Sequence, residues 1–108
     1  MFKKRDRLTK KQFDQCFKVG KRYHSHALQI IHTPQDEFHG SVVVGKKVFK
    51  SAVKRNRLRR QLYGVLYRSY KKGELKGVYI VVAKPPAKDI RQKEIAPTFE
   101  GLLAKVVV

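Results

Sequence analysis

Acid is what this chain is short of. Eight Asp and Glu side chains face 26 Lys and Arg in 108 residues, a formal net charge of +18. A monomer so unbalanced repels itself unless a polyanion compensates. Nucleic acid is the leading candidate, because each neutralised phosphate releases condensed counterions. Cysteine is scarce too. Cys16 is the single one, which excludes an internal disulfide and a cysteine metal cluster. It falls between Phe13 and Phe17 on an expected helix, where a small buried hydrophobe is the ordinary role. No apolar run is long enough for a membrane span, and the N-terminal Met-Phe-Lys-Lys-Arg-Asp-Arg lacks the apolar stretch of a secretory signal. The cations are spread over several elements with no long apolar companion, which argues against a membrane surface. A cytoplasmic location is the default expectation.

Catalytic motifs are missing as well. No D-x-D or E-x-D pair of carboxylates is present for two magnesium ions, and neither an H-E-x-x-H nor a G-x-x-x-x-G-K-[ST] motif occurs. Four histidines, His24, His26, His32 and His39, are the remaining candidates for zinc. His24 and His26 would share a strand face, but no nearby Cys or carboxylate completes a tetrahedral set. They read as surface histidines, and the chain is expected to carry no metal site and no catalytic residue of its own.

The length argues for one domain over residues 1–108. Residues 1–8 are basic and aperiodic and are expected to form a mobile arm. Thr9 and Gln12 have the spacing of a capping box, and Leu8 and Phe13 that of a hydrophobic staple. The helix they open is predicted to end near Val19, with Gly20 as a left-handed cap. Residues 22–32 read as one strand. Pro34 to Glu37 make a turn, and Phe38 to Gly45 read as a second strand, the hairpin partner of the first. Gly77 to Lys84 is apolar on both alternating faces and reads as an interior strand. Pro85-Pro86 stops it. A last helix follows from about Asp89. Pro97 either starts that helix or kinks one already begun, and Val106 to Val108 either dock or fray. The order is αββαβα, an α+β domain of two layers with helices against a small sheet.

The strongest signal lies between Ser51 and Tyr70, which carries six of the basic side chains and no acidic one. At 100° per residue, Leu58, Leu62, Val65 and Leu66 fall on one apolar arc. Asn56, Arg60, Tyr63 and Tyr67 are placed on the opposite side. Like charges at i,i+4 cost a few tenths of a kcal/mol each, and nothing within the helix relieves them. Guanidinium, amide and phenol groups on one face suit phosphates and unstacked bases. Gly45-Lys46-Lys47, just before the helix, reads either as a phosphate cradle or as a solvated turn. Phe13 and Phe17, one helical turn apart, read by default as core.

The run Ala52-Val53-Lys54-Arg55-Asn56-Arg57-Leu58-Arg59-Arg60 closely resembles the Arg-Asn-Arg signature of the bacterial ribonuclease P protein subunit. The resemblance covers most of the chain. It includes Leu8, Phe13, Phe17 and Gly20 in the pattern L-x-x-x-x-F-x-x-x-F-x-x-G, then Gly45-Lys46-Lys47, then Val81-Val82-Ala83-Lys84. It implies a fold related to the second domain of ribosomal protein S5, with a small mixed sheet and a left-handed crossover, where the general rule favours the right-handed one. It also implies a non-catalytic subunit that binds a large catalytic RNA. That RNA, holding Mg2+, removes the 5′ leader of precursor tRNA. Lys54, Arg55, Asn56, Arg57, Arg59 and Arg60 would contact the catalytic RNA, with Lys46 and Lys47 beside it. Phe13 and Phe17 would lie in the cleft that takes the leader. No obligatory protein partner is implied. Where the family pattern continues with a further arginine and an acid, this chain has Tyr63 and Gly64. Tyr63 and Tyr67 are therefore expected to stack on RNA, and Gly64 to let the backbone approach it. Three rivals share the composition: a ribosomal-type structural RNA binder, a protein-only nuclease and a DNA-binding module.

Overall fold

The computed structural model describes residues 8–73 and 75–107. The order is α1 (Lys10–Val19), β1 (Lys21–His24), β2 (Leu28–Thr33), β3 (His39–Val44), α2 (Ala52–Lys71), β4 (Val78–Ala83), a 3-10 turn (Pro85–Asp89) and α3 (Gln92–Val107). The strands form one mixed sheet in the order β1-β2-β4-β3. β4 pairs antiparallel with β2 and parallel with β3. A parallel pair needs a crossover, and α2 supplies it.

Two strand expectations are corrected. Residues 22–32 do not form one strand but the hairpin of β1 and β2, with Lys21 opposite His32. Ser25 closes it: its hydroxyl accepts from the Leu28 amide at 3.1 Å, and its own amide donates to the Leu28 carbonyl at 2.8 Å. Nor is β3 the hairpin partner of the preceding strand, because β4 lies between them. The reason is burial. β4 is apolar on both faces and belongs in the middle, whereas β3 carries His39 and Ser41 and sits at the edge.

The two faces of β4 carry two cores. Tyr79, Val81 and Ala83 point to the larger one, with Ile30, Val42, Leu58, Leu62, Leu66 and the wholly buried Phe99. Val78 and Ile80 point the other way, to a smaller cluster with Ile31 and Cys16 of α1. Helices therefore lie on both sheet faces rather than in one layer, α2 and α3 on one and the shorter α1 on the other. The α+β class and the mixed sheet are as expected.

Local signals set the helix ends. The Thr9 hydroxyl accepts from the Gln12 amide at 3.2 Å while the Gln12 side chain accepts from the Thr9 amide at 3.0 Å, a complete capping box. Ser51 caps α2 through the Lys54 amide. Gly20 is not left-handed, as expected from sequence, but extended at φ −67°. It is needed for close packing, since a Cβ there would lie 2.6 Å from the Cys16 carbonyl and 2.7 Å from Ile31. Leu8, the one described residue of the expected arm, packs on the smaller cluster; the rest of the arm lies outside the described residues. α3 begins at Gln92 and carries Pro97 inside it. Val106 docks on the larger core.

β3 is a sheet edge, and α2 closes part of it. The Tyr63 hydroxyl accepts from the Val42 amide at 3.2 Å. Tyr63 is half-buried and packs on the larger core, so it does not face solvent opposite the apolar arc, as its helical angle had suggested. Tyr63→Phe removes this acceptor and is expected to lower stability by about 1 kcal/mol in urea denaturation. Glycines give a second test. Gly77 has φ +96°, and a Cβ there would collide with the Thr33 carbonyl, whereas the nearest atom to a Cβ at Gly64 is Arg68 Nη1 at 3.8 Å. Gly77→Ala is expected to destabilise by more than ~2 kcal/mol, and Gly64→Ala to stabilise by up to ~1 kcal/mol.

Candidate nucleic-acid interface

α2 docks its stripe of Leu58, Leu62, Val65 and Leu66 on the sheet, which leaves three flanks with different chemistry. Along the crest, Lys54, Arg57 and Arg60 are exposed, as are Lys46 and Lys47 in the turn before the helix. The flank toward β3 is engaged internally. Arg59 donates to the Asn56 side-chain oxygen, and both are half-buried. Tyr67 is half-buried, with its ring 6.4 Å from that of Tyr70 and Lys71 Nζ 5.6 Å above it. Tyr70 in turn stacks on Phe38 at 4.5 Å, so Tyr67 belongs to a row of rings running into the core. The third flank faces α3 and holds Gln61, Gly64 and Arg68.

Arg55 has a separate task. Its guanidinium donates to the carbonyls of Phe49 at 3.0 Å and Lys50 at 2.8 Å. It ties the turn after β3 to the start of α2 and so fixes where Lys46 and Lys47 stand. Gly45 tightens the same turn, its carbonyl accepting from the Val48 amide at 3.1 Å.

Among the described residues no Lys or Arg lies within 4.0 Å of a carboxylate, and the single acid–base contact is His39 with Glu37 at 3.5 Å. The field of α2 is therefore open to an external anion.

The opposite sheet face forms a second surface. α1 covers β2 and β4 only in part. Strand register puts Gln29, Val82 and Val43 side by side on that face, and Val43 is 36% exposed. Phe13 is half-buried against the smaller cluster, and Phe17 is 43% exposed. Their rings stack at 5.8 Å. Arg22 of β1 lies 4.8 Å over the Phe17 ring and donates to the Phe17 carbonyl at 2.6 Å. Phe17 and Arg22 thus make an aromatic and cationic patch on the sheet face that also carries Gln29, Val82 and Val43.

Cys16 is a free, buried thiol. Burial pushes its thiol up, only partly offset by the hydrogen bond from Thr33 and the nearby Arg22 charge. Burial likewise raises the Tyr79 phenol, with Tyr23 adding to the shift. His26 lies in the hairpin turn rather than beside His24 on a strand. His32 Nε2 is 3.0 Å from the Lys76 carbonyl. Among the described residues no three His, Cys, Asp or Glu converge to hold a metal, and no helix is long and apolar enough to cross a membrane.

Sequence reasoning did not single out Arg22 or Arg68. Arg68 was within reach, because it continues the ridge Arg57, Gln61, Gly64 at helical spacing. Arg22 was not, because its place over Phe17 depends on how the hairpin meets α1.

The sequence matches the family model for ribonuclease P over residues 2–107. It is 32% identical over 110 residues to the ribonuclease P protein component of Bacillus pumilus, covering 98% of this chain and 92% of that protein. It is 34% identical over 93 residues to that of Xylella fastidiosa, covering 84% and 67%. The fold is similar to a solved RNase P protein of Staphylococcus aureus, with TM-score 0.81 and 26% identity over 100% of this chain and 94% of that one. It is also similar to that of Thermotoga maritima, with TM-score 0.78 and 21% identity over 92% and 96%. The chain belongs to the ribonuclease P protein family, whose enzyme processes the 5′ end of tRNA.

Proposed function

We propose that the chain binds the catalytic RNA of ribonuclease P through the α2 crest and grips the 5′ leader of precursor tRNA in the α1–sheet cleft. The carrying observation is the row of exposed cations on α2 with no described carboxylate beside it. Lys46, Lys47, Lys54, Arg57 and Arg60 would neutralise phosphates. Asn56 and Arg59 would act as a coupled pair, with the amide orienting the guanidinium. Arg55 would hold the turn. Tyr67 would offer its half-buried ring, and Tyr63 would chiefly position β3. Phe13 and Phe17 would take leader bases by stacking, which is tolerant of sequence because every base has a π-face.

Hydrolysis is assigned to the RNA, which would hold the Mg2+ that activates water. No protein side chain would take part in the bond-breaking step. The protein would lower the electrostatic cost of bringing two polyanions together, and so allow cleavage at lower magnesium and salt.

Reconstitution with a bacterial ribonuclease P RNA tests this reading. Precursor tRNA is expected to be cleaved at low magnesium only when both subunits are present. Cleavage by the protein alone, or protein-independent cleavage at low magnesium, would contradict it. Binding of the RNA is expected to weaken steeply with salt, and Arg57→Ala or Arg60→Ala to reduce the log–log slope by ~0.7–0.9 each. Arg55→Ala is expected instead to lower stability by ~1–3 kcal/mol, since it leaves two carbonyls without their charged donor. Phe17→Ala is expected to weaken binding of leader-bearing tRNA about tenfold while sparing leaderless tRNA. Equal losses for both would remove Phe17 from the leader cleft.

A further inference from the structure

We propose that the cavity between α2 and the segment following β4 receives one unstacked base of the RNA that α2 binds. The proposal rests on the reading above and adds a subsite to it. The cavity measures about 210 Å³. That lies below the roughly 300 Å³ at which pockets for drug-sized ligands begin, and it is too small for a helix or strand of a partner. A single ring system is of matching size. The floor is apolar, made by Phe49, Leu58, Ile90 and Ile95. Two primary amides stand in the walls, Gln61 from α2 and Gln92 from the first turn of α3. Each can donate and accept, as the edge of a base requires. The rim is cationic, with Lys54, Arg57 and Lys88, none of them paired with a described carboxylate.

Each part excludes a simpler occupant. A phosphate alone would leave the apolar floor in water. An apolar ligand would leave three cations unanswered. An extruded nucleotide satisfies both, with its base on the floor and its flanking phosphates on the rim.

The cavity also opens into a groove. A second space of about 290 Å³ runs on between α2 and α3, sharing Gln61, Gln92 and Ile95 and reaching Gly64 and Arg68. The absent Cβ of Gly64 leaves that stretch open. From Lys54 to Arg68 the helix advances about 21 Å, the span of a few nucleotides. The backbone on either side of the inserted base would follow this groove.

Gln61→Trp tests the idea, because it fills the cavity from a half-exposed helical position without changing charge. The measurements are the Kd for a bacterial ribonuclease P RNA at fixed salt, the salt slope, and methylation of Watson–Crick edges along that RNA. The wild-type protein is expected to protect an unpaired base. Gln61→Trp should re-expose it and weaken binding about tenfold with no change in slope. Lys88→Ala should lower the slope by ~0.7–0.9. Thermal melts establish that each variant is folded, and Gln92→Trp, at an exposed position, fills the same space should Gln61→Trp unfold. Wild-type affinity and an unchanged protection pattern in a folded filling variant would overturn the base pocket while leaving RNA binding intact. Weaker binding with no base re-exposed would overturn it too. Failure of the wild-type protein to bind the RNA would instead remove the reading on which the pocket rests.

Discussion

The two-faced burial of β4 holds the molecule together. Val78 and Ile80 seat α1 on one side, while Tyr79, Val81 and Ala83 seat α2 and α3 on the other. Only a strand apolar on both faces can sit between two helical coverings. Because β4 runs parallel to β3, the connection between them has to cross the sheet. That crossover is α2. The place of the basic helix is thus a consequence of strand pairing, and the cations on its outer arc are carried to the surface by the docking of its inner one. With 26 cationic and eight acidic side chains, this apolar centre also has to outweigh the repulsion that the surface creates.

Within α2 the polar residues divide by what already satisfies them. Tyr63 serves an edge-strand amide, Arg55 two loop carbonyls, and Arg59 the Asn56 amide. Among the described residues, Lys54, Arg57 and Arg60 have no comparable partner. A side chain that holds the scaffold fails by unfolding, whereas one held out to solvent fails by losing a ligand. Arg55 and Arg57 are two residues apart in the same signature, yet they stand on opposite sides of this division.

Periodicity made much of this legible. The capping box at Thr9, the apolar arc of α2 and the interior character of β4 were readable because each depends on residues a few positions apart. The order of elements gave the α+β class, and the resemblance supplied the family. Long-range matters were not readable. A run such as Arg22 to His32 has the composition of a strand throughout, and Ser25 turns it back by hydrogen bonds to Leu28 that no propensity encodes. The pairing of β3 with β4 rather than β2 is decided by burial of the whole sheet. Helical angle placed Tyr63 opposite the apolar arc, but a long side chain can reach past its own arc to a neighbouring edge, and its hydroxyl found the Val42 amide.

The departure at Tyr63 and Gly64 is therefore two changes of different kind. Tyr63 stands where the family pattern has an arginine, and here it ties α2 to β3. Gly64 lies on the other flank. A glycine in mid-helix costs ~1 kcal/mol relative to alanine, and no neighbour crowds its missing Cβ. Packing alone would favour alanine. What the glycine does maintain is the opening between α2 and α3, lined by Arg60 and Arg68. A cost that brings no packing benefit, at the one point where a side chain would narrow a cationic groove, is the pattern that surface shaped for a ligand leaves in a helix. On the proposed reading, part of the RNA contact would fall on the α3 flank of α2, with Arg68 standing two turns of helix beyond the basic signature.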